Sequence, residues 1–324
     1  MGLGPAAVKL NLELWQRNLF SNVKSIIEMG SQELHLTPHQ FEGYLHAAGI
    51  TSYDHKPFSN LNYWPGDPRC PAKPFYQLLG VEEYRCIDLN HNYGAIPHDL
   101  NLPFTDSTLL GQFDMVTDHG TNEHVFNIGE TYRTVHRLCK PGGIIHISQC
   151  LYGGNGFHNF DLSFFESMAA ANGYRVLFSS FLVTLNRKYI DKEELRILPR
   201  ALKGNYGVDQ FYIPLSNELL DILQWSKDGA CLGICYVFQK QSKEDFRYAY
   251  QCMGSDGNYA YRLQFFPNPP SRSYVPLLDR SKKGRQRSIL ETLSLRALIL
   301  HVFQRVTFRI GQRIESHGWK FWRW

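Results

Sequence analysis

No uninterrupted apolar run in these 324 residues approaches the ~20 that a helix needs to cross a bilayer. The opening stretch, MGLGPAAVKLNLELWQRNLF, has no basic flank ahead of an apolar core. Position 6, where a myristoylation signal calls for Ser or Thr, is Ala6. Those absences make a cytoplasmic protein the expectation. Paired metal-binding or disulfide spacings are also missing. The seven cysteines (Cys70, Cys86, Cys139, Cys150, Cys231, Cys235 and Cys252) are odd in number and scattered through apolar runs, as reduced buried thiols are. Cys231 and Cys235 fall on one face of a strand-like run with no second Cys or His pair to complete a metal site. A Gly-x-Gly-x-x-Gly turn is absent too: Gly30 is followed by Ser31 and Gln32. A nicotinamide or flavin dinucleotide needs those glycines so that its pyrophosphate can approach a helix start, and both cofactors are therefore disfavoured.

Positive charge is scarce in most of the chain. Residues 280–324 hold eleven Lys and Arg against Glu291 and Glu315, a local +9. The chain as a whole is only +4, which leaves −5 for residues 1–279. A nucleic-acid-binding surface spread over the body is not expected. A basic appendage that meets an anionic surface is.

What is present reads as alternating strand and helix. AAVKLNLELWQRNLF has helical spacing through Leu10, Leu14 and Leu19, and an N-terminal helix is expected within residues 1–22. Four apolar runs then end on polar or glycine residues. VKSIIEMG ends at Gly30, EYRCIDLN carries Asp88 at its end, FDMVTDHG ends near Asp118, and IIHISQC follows Pro141-Gly142-Gly143. TYRTVHRLCKPGG reads as a helix stopped by that Pro-Gly-Gly, and LSFFESMAAANGY as a helix closed by Gly173. RVLFSSFLV and GACLGICYVFQK read as strands. Strands separated by helices predict an α/β, doubly wound, mostly parallel sheet, which binds ligands at the carboxyl ends of its strands.

The order SIIEMGSQ, CIDLN, HDLNLPF, FDMVTDHGTNEHV, LCKPGGIIHIS resembles that of class I S-adenosylmethionine-dependent methyltransferases. The resemblance covers about two thirds of the chain, within a domain expected at 23–254 with an insertion at about 50–75. It implies S-adenosyl-L-methionine as cofactor, with Glu28, Gly30, Asp88, Asp99, Leu100, Asp118 and His119 around it. A carboxylate at a strand end can accept from both ribose hydroxyls, which suits Asp88. Asp99 would take the adenine amine, with Leu100 against the ring. The alternative for both Asp-Leu-Asn triplets is a pair of turns with Asp as local caps. S-adenosylmethionine has no phosphate, so a single glycine is tolerable, and an acidic Glu28 would lie near its cationic end.

Methyl transfer requires in-line placement of a nucleophile, plus a base when that nucleophile is a hydroxyl. His124, after the fourth strand, is the first candidate base. His158, in the glycine-rich loop YGGNGFHNFD, is the second. His119, Glu123 and His124 superficially resemble a zinc signature. On a helix, however, a five-residue spacing splays two imidazoles by roughly 140°, and no metal is expected. The acceptor could be a small molecule, a glycan or a lipid-linked compound, and the thin glycine turn leaves open a catalytically inactive binding or scaffold protein. Residues 255–287, rich in Pro, Ser and Arg, read as a linker or wrapping arm. Residues 288–324 read as a basic amphipathic helical tail, with Arg305, Arg309 and Arg313 at four-residue steps and Trp319, Trp322 and Trp324 behind them. That pattern suits an anionic membrane surface as partner, and equally a helix docked on the body or on a second chain.

Overall fold

The computed structural model describes residues 2–62, 69–152, 155–186, 208–213 and 230–249. The linker and tail at 255–324, Cys252 and the side chain of Cys231 lie outside the described residues. In chain order the elements are β1 (Gly2–Leu3), α1 (Pro5–Gln16), β2 (Ser25–Met29), β3 (Glu33–Leu34), α2 (Pro38–Ala47), β4 (Cys70–Pro71), α3 (Lys73–Leu78), β5 (Glu83–Asp88), β6 (Ile96–Pro97), β7 (Phe113–His119), α4 (Ile128–Leu138), β8 (Cys139–Tyr152), α5 (Leu162–Asn172), β9 (Arg175–Asn186), β10 (Val208–Ile213) and β11 (Ala230–Gln239).

Eight strands form one sheet in the order β10-β9-β11-β8-β7-β2-β5-β6, while β1, β3 and β4 make a small separate ribbon. From β6 to β8 the strands are parallel. β11 lies antiparallel between β8 and β9, and β10 pairs antiparallel with β9. β9 therefore points the same way as the parallel five. The chain leaves β2 toward β5 and β6, then returns to the other side of β2 through β7 and β8. The crevice between β2 and β7 is thus the switch point of a doubly wound, class I Rossmann-like α/β fold.

Both faces of this sheet are covered, so its strands are apolar at successive positions rather than at alternate ones. Ile26, Met115, Ile144, Cys235 and Val237 enter one core, which α1, α2 and α3 complete. Their neighbours Ile27, Val116, Ile145, Ile234, Tyr236 and Phe238 enter the second core, beneath α4 and α5. The N-terminal helix is therefore part of the body, with Leu10 and Leu14 buried in the first core and Leu19 packed beside it.

Local chemistry sets the helix ends. Thr37 caps α2 with a reciprocal capping box to Gln40, and Pro38 occupies its first turn. Asp161 caps α5 by accepting from the Ser163 N–H, and Gly173 closes it in a left-handed conformation. α4 stops at Leu138, short of Pro141-Gly142-Gly143. Cys139 is already extended and pairs with Phe113, so sheet pairing ends this helix before the proline can. The stretch expected as an insertion at about 50–75 supplies β4 and buries Phe58, Leu61 and Cys70 in the first core.

Candidate active site

Gly30 follows β2 at the switch point, and its φ of +84° favours glycine. A Cβ there would lie 2.3 Å from the Thr121 hydroxyl oxygen, so the turns after β2 and β7 touch directly. The Thr121 hydroxyl donates to the Met29 carbonyl at 2.6 Å and accepts from the Gln32 side-chain amide at 2.8 Å. Gln32 is itself buried and also donates to the Met29 carbonyl. The residue in place of a second glycine thus turns inward and braces the loop. After Gln32 the chain enters β3 rather than a helix.

Asp88 stands at the end of β5, half-buried. One of its oxygens accepts the Ser31 N–H at 2.7 Å and the other the Asn90 N–H at 3.3 Å. The Ser31 hydroxyl reaches Asn90 Oδ1 and the Asn92 carbonyl. The ends of β2 and β5 are thereby tied together, and Leu89, next to Asp88, is 71% exposed. Asp99 sits in the turn after β6. Its Oδ1 accepts both the backbone and the side-chain N–H of Asn101, and these two bonds hold the carboxyl below its usual range. Asn101 in turn receives the N–H of Asn127, the cap of α4. Asp99 Oδ1 thus shapes its own turn, and the residue is half-buried. Leu100 is buried in the second core and is not on the open rim.

Three expected cofactor residues are turned into the protein. Glu28 is fully buried on the α3 face, where the Tyr84 and Thr117 hydroxyls donate to its carboxyl. Burial pushes its pKa up to about 7, against the pull of those hydrogen bonds. Strand alternation is the physical reason: Glu28 shares its side of β2 with Ile26, facing α1–α3 and not the strand-end surface. Asp118 points the other way, accepting from the Thr121 and Asn122 N–H groups and the Tyr132 hydroxyl, and burial raises it to about 7 as well. It shapes the turn that follows β7. His119 is buried edge-on against His146, with ring centroids 4.7 Å apart, and burial lowers its pKa to about 4.

The two candidate bases do come to the rim together. A 3-10 turn, Asn122–His124, follows β7. Glu123 is buried beneath it, accepting the Cys150 N–H at 2.7 Å, and its other oxygen lies 3.7 Å from His124 Nε2. Burial raises the Glu123 carboxyl and lowers His124. The loop after β8 is fastened to this turn. His158 N–H donates to the Glu123 carbonyl, His158 Nε2 lies 3.3 Å from the Phe126 carbonyl, and Gly156 packs so closely on Glu123 that a Cβ would fall 2.5 Å from its carbonyl oxygen. Phe126 and Phe157, 75% and 71% exposed, meet edge to face above the pair. Sequence reasoning missed Thr121, Gln32 and these two phenylalanines. The glutamine at the expected glycine was the available signal for the brace. No group of His, Cys, Asp or Glu with metal-holding geometry occurs among the described residues.

No protein-family model matches the chain, and no curated protein sequence matches it. Solved structures do resemble it. A candidate methyltransferase from Bacillus halodurans is 12% identical over 71% of this chain and 99% of its own, with a TM-score of 0.38. A SAM-dependent methyltransferase from Archaeoglobus fulgidus is 11% identical over 72% of this chain and 94% of its own, at 0.32. The Burkholderia thailandensis 1,6-didemethyltoxoflavin-N1-methyltransferase, bound to S-adenosylhomocysteine, is 10% identical over 73% of this chain and 79% of its own, at 0.30. Similarity this remote says nothing about reaction or acceptor, and the fold assignment above rests on the strand order itself.

Proposed function

We propose that this chain is an S-adenosylmethionine-dependent methyltransferase acting on a small-molecule, glycan or lipid-linked acceptor. The observation that carries this reading is the Asp88 carboxylate at the end of β5, tied to the turn after β2 through the Ser31 N–H, with a second carboxylate, Asp99, in the turn after the next strand. A nucleoside is read by carboxylates accepting from its hydroxyls and amine, whereas a pyrophosphate is read by helix N–H groups. Asp88 and Asp99 suit the first kind of contact, and the chain after this turn enters β3 rather than a helix. Asp88 retains lone pairs beyond the two N–H bonds it accepts, Asp99 accepts only through Oδ1, and the exposed Leu89 adds an apolar surface, so this set of acceptors suits the hydroxyls and amine of an adenosine.

When bound, S-adenosylmethionine supplies an electrophilic methyl. The protein's own part is to place the acceptor and take its proton. His124 is the base: burial favours its neutral form, Nε2 can receive a proton, and the Glu123 carboxyl behind it can steady the resulting cation. His158, on the facing loop, is the second candidate. Phe126 and Phe157 offer an apolar wall beside both. The +9 of residues 280–324 supports peripheral association with an anionic membrane, at roughly 1 kcal/mol per basic residue near the surface. Among the described residues, no helix is long and apolar enough to cross a membrane.

Calorimetric titration of the full chain with S-adenosylhomocysteine tests the cofactor reading. Binding is expected, weakened by about 1–3 kcal/mol in a folded Asp88→Ala variant, the scale for hydrogen bonds to a charged group. Absence of binding to the folded wild-type chain overturns it and leaves a scaffold.

A further inference from the structure

The opposite end of the sheet carries a cavity of about 530 Å³ between the last turn of α4, the start of β8 and the segment that follows β11. Four cations line it. Lys240 is buried, and its ammonium donates to the His136 and Cys139 carbonyls at 2.8 and 3.0 Å, leaving one of its three protons. Arg137 makes one long bond, 3.5 Å, to the Phe104 carbonyl. Lys243 is exposed, with no ion pair among the described residues. Arg133 is already drawn to Glu130 and Asp245.

Two carboxylates, Glu244 and Asp245, line the same cavity, and each already has a cationic neighbour. Glu244 pairs with Arg247 at 2.6 Å and Asp245 lies 3.9 Å from Arg133. A helix C-terminus normally repels anions. Here its carbonyls are matched: His136 and Cys139 by Lys240, and Arg137 by the Gly111 N–H at 2.7 Å. His136 has both ring nitrogens occupied, by the Tyr174 hydroxyl and the Glu244 carbonyl, and adds no charge. The residual field in the cavity is therefore positive, and it is supplied by three donors with unused N–H groups converging from α4 and the segment after β11. Leu110 and Pro141 give the same cavity an apolar side.

We propose that this cavity is a second ligand site, distinct from the strand-end crevice, that binds a phosphate-bearing small molecule. Arg137 supplies the planar fork that matches two phosphate oxygens, with Lys240 and Lys243 as point charges. The volume lies in the range of small-molecule sites, about 300–1,000 Å³, and the apolar side accommodates an organic body beyond the phosphate. The site stands whether or not methyl transfer is the reaction at the other end.

Inorganic pyrophosphate titrated into the full-length protein at low salt is the test, read by calorimetry and by hydrogen-exchange protection. Saturable binding with a Kd below about 1 mM is expected, together with protection confined to 133–140 and 240–245. Arg137→Gln combined with Lys243→Gln, which spares the helix-capping Lys240, is expected to weaken it at least about tenfold. Absence of saturation by about 10 mM overturns the proposal. So does binding that the double variant leaves unchanged, since the ligand then sits elsewhere, the basic stretch 280–324 included.

Discussion

Replacing Gly30 by alanine tests the closure of the crevice. The new methyl meets a backbone at φ +84°, the Thr121 hydroxyl oxygen at 2.3 Å and the Gln32 side-chain nitrogen at 3.0 Å. A left-handed conformation costs an L-residue about 1–2 kcal/mol. Moving Thr121 aside breaks its donation to the Met29 carbonyl and its acceptance from Gln32, at about 1 kcal/mol each. Gly30→Ala is therefore expected to lose about 3–4 kcal/mol, read from the midpoint of a urea titration at constant slope. Thr121→Ala alone should lose about 1–2 kcal/mol. The two variants share the Thr121 contact, so the double variant should recover about 1–2 kcal/mol relative to additivity. A Gly30→Ala protein within about 0.5 kcal/mol of wild type, or a strictly additive double variant, refutes the claim that the two turns are locked at this point.

Glu28 predicts a pH dependence. The folded chain holds this proton up to about pH 7 while the unfolded chain releases it near 4.5, so stability falls as pH rises through that window, by up to about 1.4 kcal/mol per unit. Glu28→Gln should flatten the slope between those values; Asp118 keeps its share, and His119 and His136 act oppositely in both proteins, so the difference between the curves isolates Glu28. Lys240→Met should cost about 2–4 kcal/mol in chemical denaturation, since it strands two buried carbonyls at the end of α4. With a hydroxyl acceptor, His124→Ala should slow turnover by about 10²-fold or more with cofactor affinity nearly unchanged; a loss seen only with His158→Ala transfers the base to the loop after β8. Co-sedimentation of the full chain with anionic vesicles, weakened by salt and absent with zwitterionic ones, checks the membrane reading of the basic stretch.

The sheet was legible because strands covered on both faces leave long apolar runs. Those runs fixed β2, β5, β7, β8, β9 and β11 to within a few residues. The strand-end positions of Gly30 and Asp88 were legible because each closes such a run. Glu28, Asp118 and His119 were read as ligand contacts from the same proximity to strand ends, but proximity does not say which way a side chain points. Alternation sends Glu28 and His119 toward one layer and Asp118 toward the other, and the 3-10 turn after β7 covers what remains. The inward turn of Gln32 depends on Thr121, 89 residues away, and no local pattern encodes that distance. Asp99 was ambiguous for a different reason: an Asx turn and an adenine contact call for the same Asp at the same place.

The position of β11 has a consequence for how the chain is made. β8 ends at Tyr152 and β9 at Asn186, yet the strand that joins them begins only at Ala230. Until it emerges from the ribosome, β8 and β9 each present an open ladder of unpaired N–H and carbonyl groups, and both cores lack a row: Cys235 and Val237 from one, Ile234, Tyr236 and Phe238 from the other. Lys240, the cap of α4, arrives one residue later still. Insertion of this strand therefore completes the central sheet, both layers and the end of α4 in one late event. The nascent protein carries two exposed edges until then, a window in which edge-to-edge association competes with folding.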